Sequence, residues 1–494
     1  MRLNWFNLKD LLFSKNIKNS AWHLLDTLIY PVLFFSTSPW FIDRLGEKEF
    51  GIWIFVNSII VMMQLFNLGL GAATFKNVAA HTGVNNYEDA VKTINTNFSI
   101  SFILQMLCIA VATAIAFGVK YFSVFNIEAS YVHLAFTGIL FGGVIVGLKF
   151  YEQIIAYTFK ALERFDIAAW LNSGIKLTAL LANVILIYLG YGLVTLFIAT
   201  VIISFIGICL GIFLIRRHVP EYSLFFYFNR QRLGKELNFA IWIWLQSLVV
   251  IIAFQCDRLF VLTYIGLSTL TYYGLVATMF NHIHMGFSAI VPWLTPKVSR
   301  LKEQGTDPKI LYSTSRSLSL LIALSVLLVF SSISAPLLKL VLSIDKYNQC
   351  IGYIRLFTLF ELFFVYTIVP NDYLNAAGYE KLNFGIVFFY SAVIVAGMLG
   401  GYMLYKTAGG ILTGLIASTA VSVFIQHLVV DKKIFSDSRW TETVILFLPA
   451  VLISIFILSE PMWLKAFFFI LSLVSLYLVF IRKNRINLNL LKHG

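Results

Sequence analysis

Apolar runs of about 20 residues recur from one end of this chain to the other, and a helix of that length crosses a bilayer. Lipid offers the backbone no hydrogen-bond partners, so each run must close its own ladder as a helix. The composition fits that solvent: 59% of residues are hydrophobic, 12% are charged, and mean hydropathy is +0.83. A soluble core of 494 residues needs nothing so apolar. The expected fold is therefore an all-α polytopic membrane protein of about 14 spans. They are placed at 20–42, 50–75, 95–119, 131–159, 167–189, 192–215, 238–264, 270–294, 315–335, 352–377, 384–404, 410–430, 443–459 and 463–481.

Loop charge orients such a chain, because Lys and Arg stay on the cytoplasmic side. With the N-terminus inside, the inner segments carry 26 Lys and Arg and the outer loops carry 7. An even number of spans then puts both termini inside. The formal net charge of +13 sits on loops that face anionic lipid, so no nucleic-acid partner is needed to explain it. Residues 1–19 are too polar for a cleavable signal, and the segment 4–13 has the pattern of a surface amphipathic helix. The four cysteines form no disulfide or metal pattern, and no cofactor is implied.

The sequence resembles itself at a spacing near 220. Gly192-Leu-Val-Thr-Leu-Phe-Ile-Ala-Thr200 matches Gly410-Ile-Leu-Thr-Gly-Leu-Ile-Ala-Ser418. Gly46 matches Gly266, Lys76 matches Lys297, and Glu163 is set against Glu380. A duplicated six-span unit follows, with lobes at 1–217 and 218–437 and an added pair at 438–494. Six is even, so the two lobes are parallel and a substrate path would run through a central cavity between them.

Nine charges fall at membrane depth: Lys149, Lys176, Arg258, Arg355, Asp26, Glu152, Asp257, Glu361 and Asp372. Each costs at least about 2.5–3.5 kcal/mol if it faces lipid alone, so most must meet water or one another. Lys149 and Glu152 are three apart on one helix face and either neutralise each other or serve a cavity. Asp257 and Arg258 are adjacent, about 100° apart, and need partners elsewhere. Arg355 lies near an outer end, where a long side chain can snorkel. Pro370 precedes Asp372 and should kink its helix, making either a gate or a polar terminus. Asp26 shares a helix with His23, and Pro31 and Pro39 break that helix further out. His282 and His284 fit ordinary packing. Buried cations nearly match buried acids, which suits an anionic substrate better than a drug cation.

Enzyme classes fit poorly. There is no G-x-x-x-x-G-K-[ST], no H-E-x-x-H and no loop long enough for a catalytic domain. No filter-like loop suggests a channel.

The run Leu45-Gly46-Glu-Lys-Glu-Phe50-Gly51-Ile-Trp53, followed by Asn67-Leu-Gly69-Leu-Gly71 and Lys76, resembles bacterial polysaccharide exporters of the O-antigen flippase type. So does Tyr157-x-x-Lys160-Ala-Leu-Glu-Arg164-Phe-Asp166. These belong to the multidrug/oligosaccharidyl-lipid/polysaccharide exporter superfamily. The resemblance implies an ion-coupled secondary transporter of the bacterial inner membrane, which moves undecaprenyl-diphosphate-linked oligosaccharide by alternating access. It implies a lipid-linked oligosaccharide and H+ or Na+ as partners, with membrane lipids, a polysaccharide polymerase and a chain-length regulator around it. Lys149, Lys176, Arg258 and Arg355 would then hold the diphosphate. Asp257, Asp26 or Glu152 would take the coupling ion, and Pro31, Pro370 and Asp372 would form gates. The two extra spans are similar to those of 14-span lipid-linked precursor flippases. A cation antiporter of the same fold and a non-transporting scaffold are the alternatives.

Overall fold

The computed structural model describes residues 33–483, apart from 68, 123–124, 220–221, 226, 228–229, 290, 292–293, 295–296, 299–300, 302–306 and 436–439. Every regular element among the described residues is helical. Helix α1 covers 33–45. It is followed by α2 (Glu47–Met63), α3 (Leu70–Gly83), α4 (Tyr87–Phe122), α5 (Ala129–Ala161), α6 (Phe165–Tyr188), α7 (Leu193–His218) and α8 (Arg230–Tyr264). Then come α9 (Leu267–Ser288), α10 (Lys309–Val341), α11 (Ile344–Phe364) and α12 (Ile368–Ala376). The series ends with α13 (Glu380–Tyr405), α14 (Ala408–Phe435), α15 (Trp440–Leu458) and α16 (Met462–Leu476).

Twelve described helices are long and apolar enough to cross a membrane, which makes this a multi-pass membrane protein. They coincide with twelve of the fourteen expected spans. The span expected at 20–42 lies mostly outside the described residues. The span expected at 270–294 exists as the 22-residue helix α9 but is not among the twelve. Asn281, His282 and His284 lower its hydropathy, so it is a helix that needs protein around it.

By contacts the chain groups into Met1–Trp244 with Leu262–Thr271, and Leu245–Val261 with Tyr272–Gly494. The first unit is built on α5. Its Gly138 and Gly143 leave room for Val56 and Phe197 and for Ala112, so α2, α7 and α4 approach closely. Phe98, Ile154, Phe159 and Ile215 form its core toward the α5 C-terminus. In the second unit, Leu324, Leu362, Tyr366, Phe447 and Ile453 share one core with Leu476 and Phe480. The C-terminal pair is thus packed into that core.

The sequence repeat reappears as backbone geometry. Gly46 and Gly266 both have positive φ, 86° and 123°, and each opens the next helix. After α5, Arg164 N–H bonds to Phe159 O and Glu163 stands at φ 58°. After α12, Tyr379 N–H bonds to Leu374 O and Gly378 stands at φ 76°. The turn therefore repeats at 378 − 163 = 215. This corrects the pairing of Glu163 with Glu380: Gly378, which fits the left-handed position without strain, is its counterpart.

Two further corrections concern helix ends. The second span does not run to Lys76. A 3-10 turn at Gln64–Asn67 ends it, Asn67 Oδ1 accepts from Gly69 N–H at 2.9 Å, and Gly69 turns left-handed before α3. Pro39 does not break α1, which continues through it to residue 45.

Candidate functional site

Helix α5 carries Lys149 and Glu152 on one face, and their side chains pair at 2.6 Å. The Glu152 carboxylate is nearly buried, and its Oε1 has no partner. Neighbouring polar groups make a small layer in the same unit. Asn67 donates to Gln153 Oε1 at 3.1 Å, and Asn97 donates to Thr74 Oγ1 at 2.7 Å. Lys176 is half-buried on α6. The arrangement offers one cation already held by a carboxylate, and one carboxylate oxygen that can still accept.

The second unit holds a denser site, placed by α8, α9 and α11. A cavity of about 20 Å³, room for one water, is lined by Asp257, Arg258, Asn281, His284 and Glu361 among Phe254, Phe280, Phe360 and Phe364. Asp257 is buried and accepts from Tyr273 Oη at 2.9 Å and from Arg258 N–H at 2.7 Å. Arg258 Nη1 donates to Gln255 Oε1 at 2.7 Å, while its Nε has no partner. Glu361, 1% exposed, meets His284 Nδ1 at 2.8 Å, and Phe364 stacks on that imidazole. Two carboxylates, one guanidinium and one imidazole thus line the same cavity.

Helix α11 gives way at Val365–Thr367 to one 3-10 turn, and α12 then runs through Pro370. Proline has no N–H, so the carbonyl four residues earlier, that of Tyr366, loses its helical donor. His427 of α14 takes that place, Nε2 to Tyr366 O at 3.0 Å. Beside it Arg316 Nη1 donates to both oxygens of Asp431, at 2.7 and 2.9 Å, and Tyr312 Oη reaches Asp431 Oδ1 at 3.3 Å. All four side chains of this latch, Tyr312, Arg316, His427 and Asp431, are buried. Asn371, next after Pro370, accepts from Gln426 Nε2 at 2.8 Å. Gln246, Asn375 and Asn383 form a further amide cluster there. Asp372 is half-buried on α12.

Of the residues singled out from sequence, Asp257 and Arg258 come together with Glu361 in one cavity. Lys149 and Glu152 are joined to each other. Arg355 is exposed on α11, on a different face from Glu361. Asp26 and Pro31, with His23, lie outside the described residues. Sequence reasoning missed two features. It set His284 aside as packing, whereas His284 holds Glu361. It also left Arg316 at the inner end of a span and Asp431 just beyond one, whereas both are buried in helices that run further. The spacing Tyr312/Arg316 and His427/Asp431, each four apart, was the available signal, because it puts each pair on one helix face.

A family model described as a polysaccharide biosynthesis protein matches residues 44–352. A Shigella flexneri protein provisionally named an O-antigen transporter is 22% identical over 374 residues, covering 74% of this chain and 86% of that relative. The lipid II flippase MurJ in an inward closed conformation superposes with TM-score 0.66 at 12% identity, over 96% of this chain and 99% of the other. An inward-facing multidrug resistance MATE family transporter of the MOP superfamily does so with TM-score 0.65 at 14% identity, over 84% and 98%. These two likenesses establish the fold as a transporter fold. Because the family model spans well over half of the sequence, including the α5 ion pair and Asp257 and Arg258 of the cavity, the chain belongs to the polysaccharide biosynthesis protein family.

Proposed function

We propose that this protein is a flippase that moves undecaprenyl-diphosphate-linked oligosaccharide across the bacterial inner membrane by alternating access, driven by an ion gradient. Membership in the polysaccharide biosynthesis family carries the reading. The bias of 26 Lys and Arg to 7 supports both termini in the cytoplasm. The substrate combines a diphosphate, a sugar head and a long apolar tail. Lys149, Lys176, Arg258 and Arg355 are the cations that would meet the diphosphate, and Glu152, Asp257 and Asp26 the acids that would take the ion. A polysaccharide polymerase and a chain-length regulator are candidate partners.

The α5 pair supplies a coupling step. Lys149 is neutralised by Glu152 at 2.6 Å. A diphosphate arriving at Lys149 draws it from Glu152, whose carboxylate then has two oxygens free for a proton or Na+. Binding of either ligand eases binding of the other, as linkage requires. Once the diphosphate leaves on the far side, Lys149 returns to Glu152. The Asp257–Arg258–Glu361–His284 cavity offers a second ion site of the same logic, since two carboxylates line it.

The test is reconstitution in vesicles with an imposed pH or Na+ gradient. Labelled lipid-linked oligosaccharide should cross and a cationic dye should not. Transport of the dye alone would replace this reading with a cation antiporter, and transport of neither would leave a scaffold. Glu152→Gln and Asp257→Asn should each lose part of the response to the gradient. A wild-type response in both, and in Asp26→Asn, would sink ion coupling through these acids.

A further inference from the structure

Helices α13 and α14 touch backbone to backbone in one half of their length. Gly397 and Gly401 face Gly410 and Gly414, and a Cβ at Gly414 would collide with the Gly397 carbonyl. Toward the end that carries Lys381, Lys432 and Lys433 the two helices part. A cavity of 300 Å³ opens there, lined by Lys381, Gly385, Ile386 and Phe389 on α13 and by Ile425, Gln426 and Val429 on α14. A Cβ at Gly385 would meet nothing within 4 Å, so the space is real and not a gap left by a tight turn. Phe389, Ile425 and Val429 are exposed on its walls.

Two polar features distinguish this groove from ordinary lipid-facing surface. Lys381 stands at its mouth. Gln426, 1% exposed, lines its depth, and the Gln426 Oε1 has no partner while Nε2 is committed to Asn371. A ligand that fits supplies an apolar chain for the walls and an anionic group for Lys381. From Lys381 to Phe389 is eight residues of helix, about 12 Å. The hydrocarbon half of a bilayer is about 15 Å thick, and the glycine crossing closes the groove beyond it. That length suits one acyl chain of a single leaflet and is short for a polyprenyl tail.

We infer that the α13/α14 groove is a binding site for an anionic glycerophospholipid, its phosphate at Lys381 and one acyl chain between Ile386, Phe389, Ile425 and Val429, past Gln426. The site is separate from the transport residues and does not rest on the flippase reading.

The experiment uses the full chain, stripped of lipid in detergent and titrated with phosphatidylglycerol, phosphatidylcholine or undecaprenyl phosphate. Retained lipid is read by native mass spectrometry and the thermal midpoint by fluorescence. Phosphatidylglycerol should be retained at one per chain above background and should raise the midpoint. Gly385→Phe, which fills open space, should keep the lipid-free midpoint and lose both effects; Val429→Trp, from the opposite wall, serves if Gly385→Phe does not fold. Lys381→Met should weaken retention roughly fivefold, the worth of one Lys at an anionic lipid surface. Equal retention in wild type and in the filled variants overturns the site. Equal retention of phosphatidylcholine overturns the role of Lys381, and stronger retention of undecaprenyl phosphate overturns the occupant.

Discussion

Helix α5 and the segment α11–α12 stand at the spacing expected of a repeated unit. Ala129–Ala161 and Ile344–Ala376 are both 33 residues long, and 344 − 129 = 215, the offset of the turns that follow them. One runs unbroken; the other breaks at Val365–Thr367. At the same offset Pro370 falls on Ile155, whose N–H the helix can use. The charges moved as well: Lys149 and Glu152 correspond to Phe364 and Thr367, and Glu361 corresponds to Val146. The two segments share length and turn geometry, which the membrane and the loop set. Their polar groups differ, because each needs only a partner on a neighbouring helix. One is an unbroken post bearing an ion pair, the other a hinged rod held by a latch.

The largest expected effect is at the latch. Arg316→Met leaves Asp431 buried without its partner and should cost about 3–5 kcal/mol in unfolding stability, with much of the loss recovered in Arg316→Met/Asp431→Leu. A loss under 1 kcal/mol in denaturant titration would show that the latch is not what holds the hinged rod. Next, Ile155→Pro puts the break of α12 into α5 and should cost about 3 kcal/mol, because at the same offset His427 corresponds to Ile212, which has no donor to offer. A small cost would mean that α5 is already as pliable as its copy.

Third, His427→Leu strands the Tyr366 carbonyl and should cost about 1–3 kcal/mol. In a Pro370→Ala background the restored N–H takes that carbonyl, so the same change should cost clearly less. Additivity of the two changes would sever His427 from the hinge. The smallest effect is at Arg355, exposed on α11: Arg355→Ala should stay within about 0.5 kcal/mol. Any fall in glycan transport by that stable variant would then report a lost contact with substrate.

Much of this architecture was legible because lipid imposes simple lengths. Twelve helices stand where apolar runs put them, and Gly46 and Gly266, matched in sequence, both take positive φ ahead of a helix. Boundaries at the polar end were harder. Helix α10 begins at Lys309 and α14 runs to Phe435, so Arg316, expected at a span's end, and Asp431, expected just past one, lie well inside helices. The Gly69 break was hidden because the apolar run continues across it. Of the site, adjacency exposed Asp257 with Arg258, and spacing exposed Lys149 with Glu152. The pairing of His284 with Glu361 spans 77 residues and two helices, and no local pattern encodes it.

Four glycines in contact leave α13 and α14 almost no side chains between them where they cross, so one helix can turn on the other there without repacking. The crossing is a fulcrum. From Gly397 to Lys381 is 16 residues, about 24 Å of lever. A turn of about 5° at the pivot moves the far end by about 2 Å over that arm. A small twist beside Pro370 can thus widen or shut the groove mouth, and whatever sits in the groove acts as a wedge on that twist.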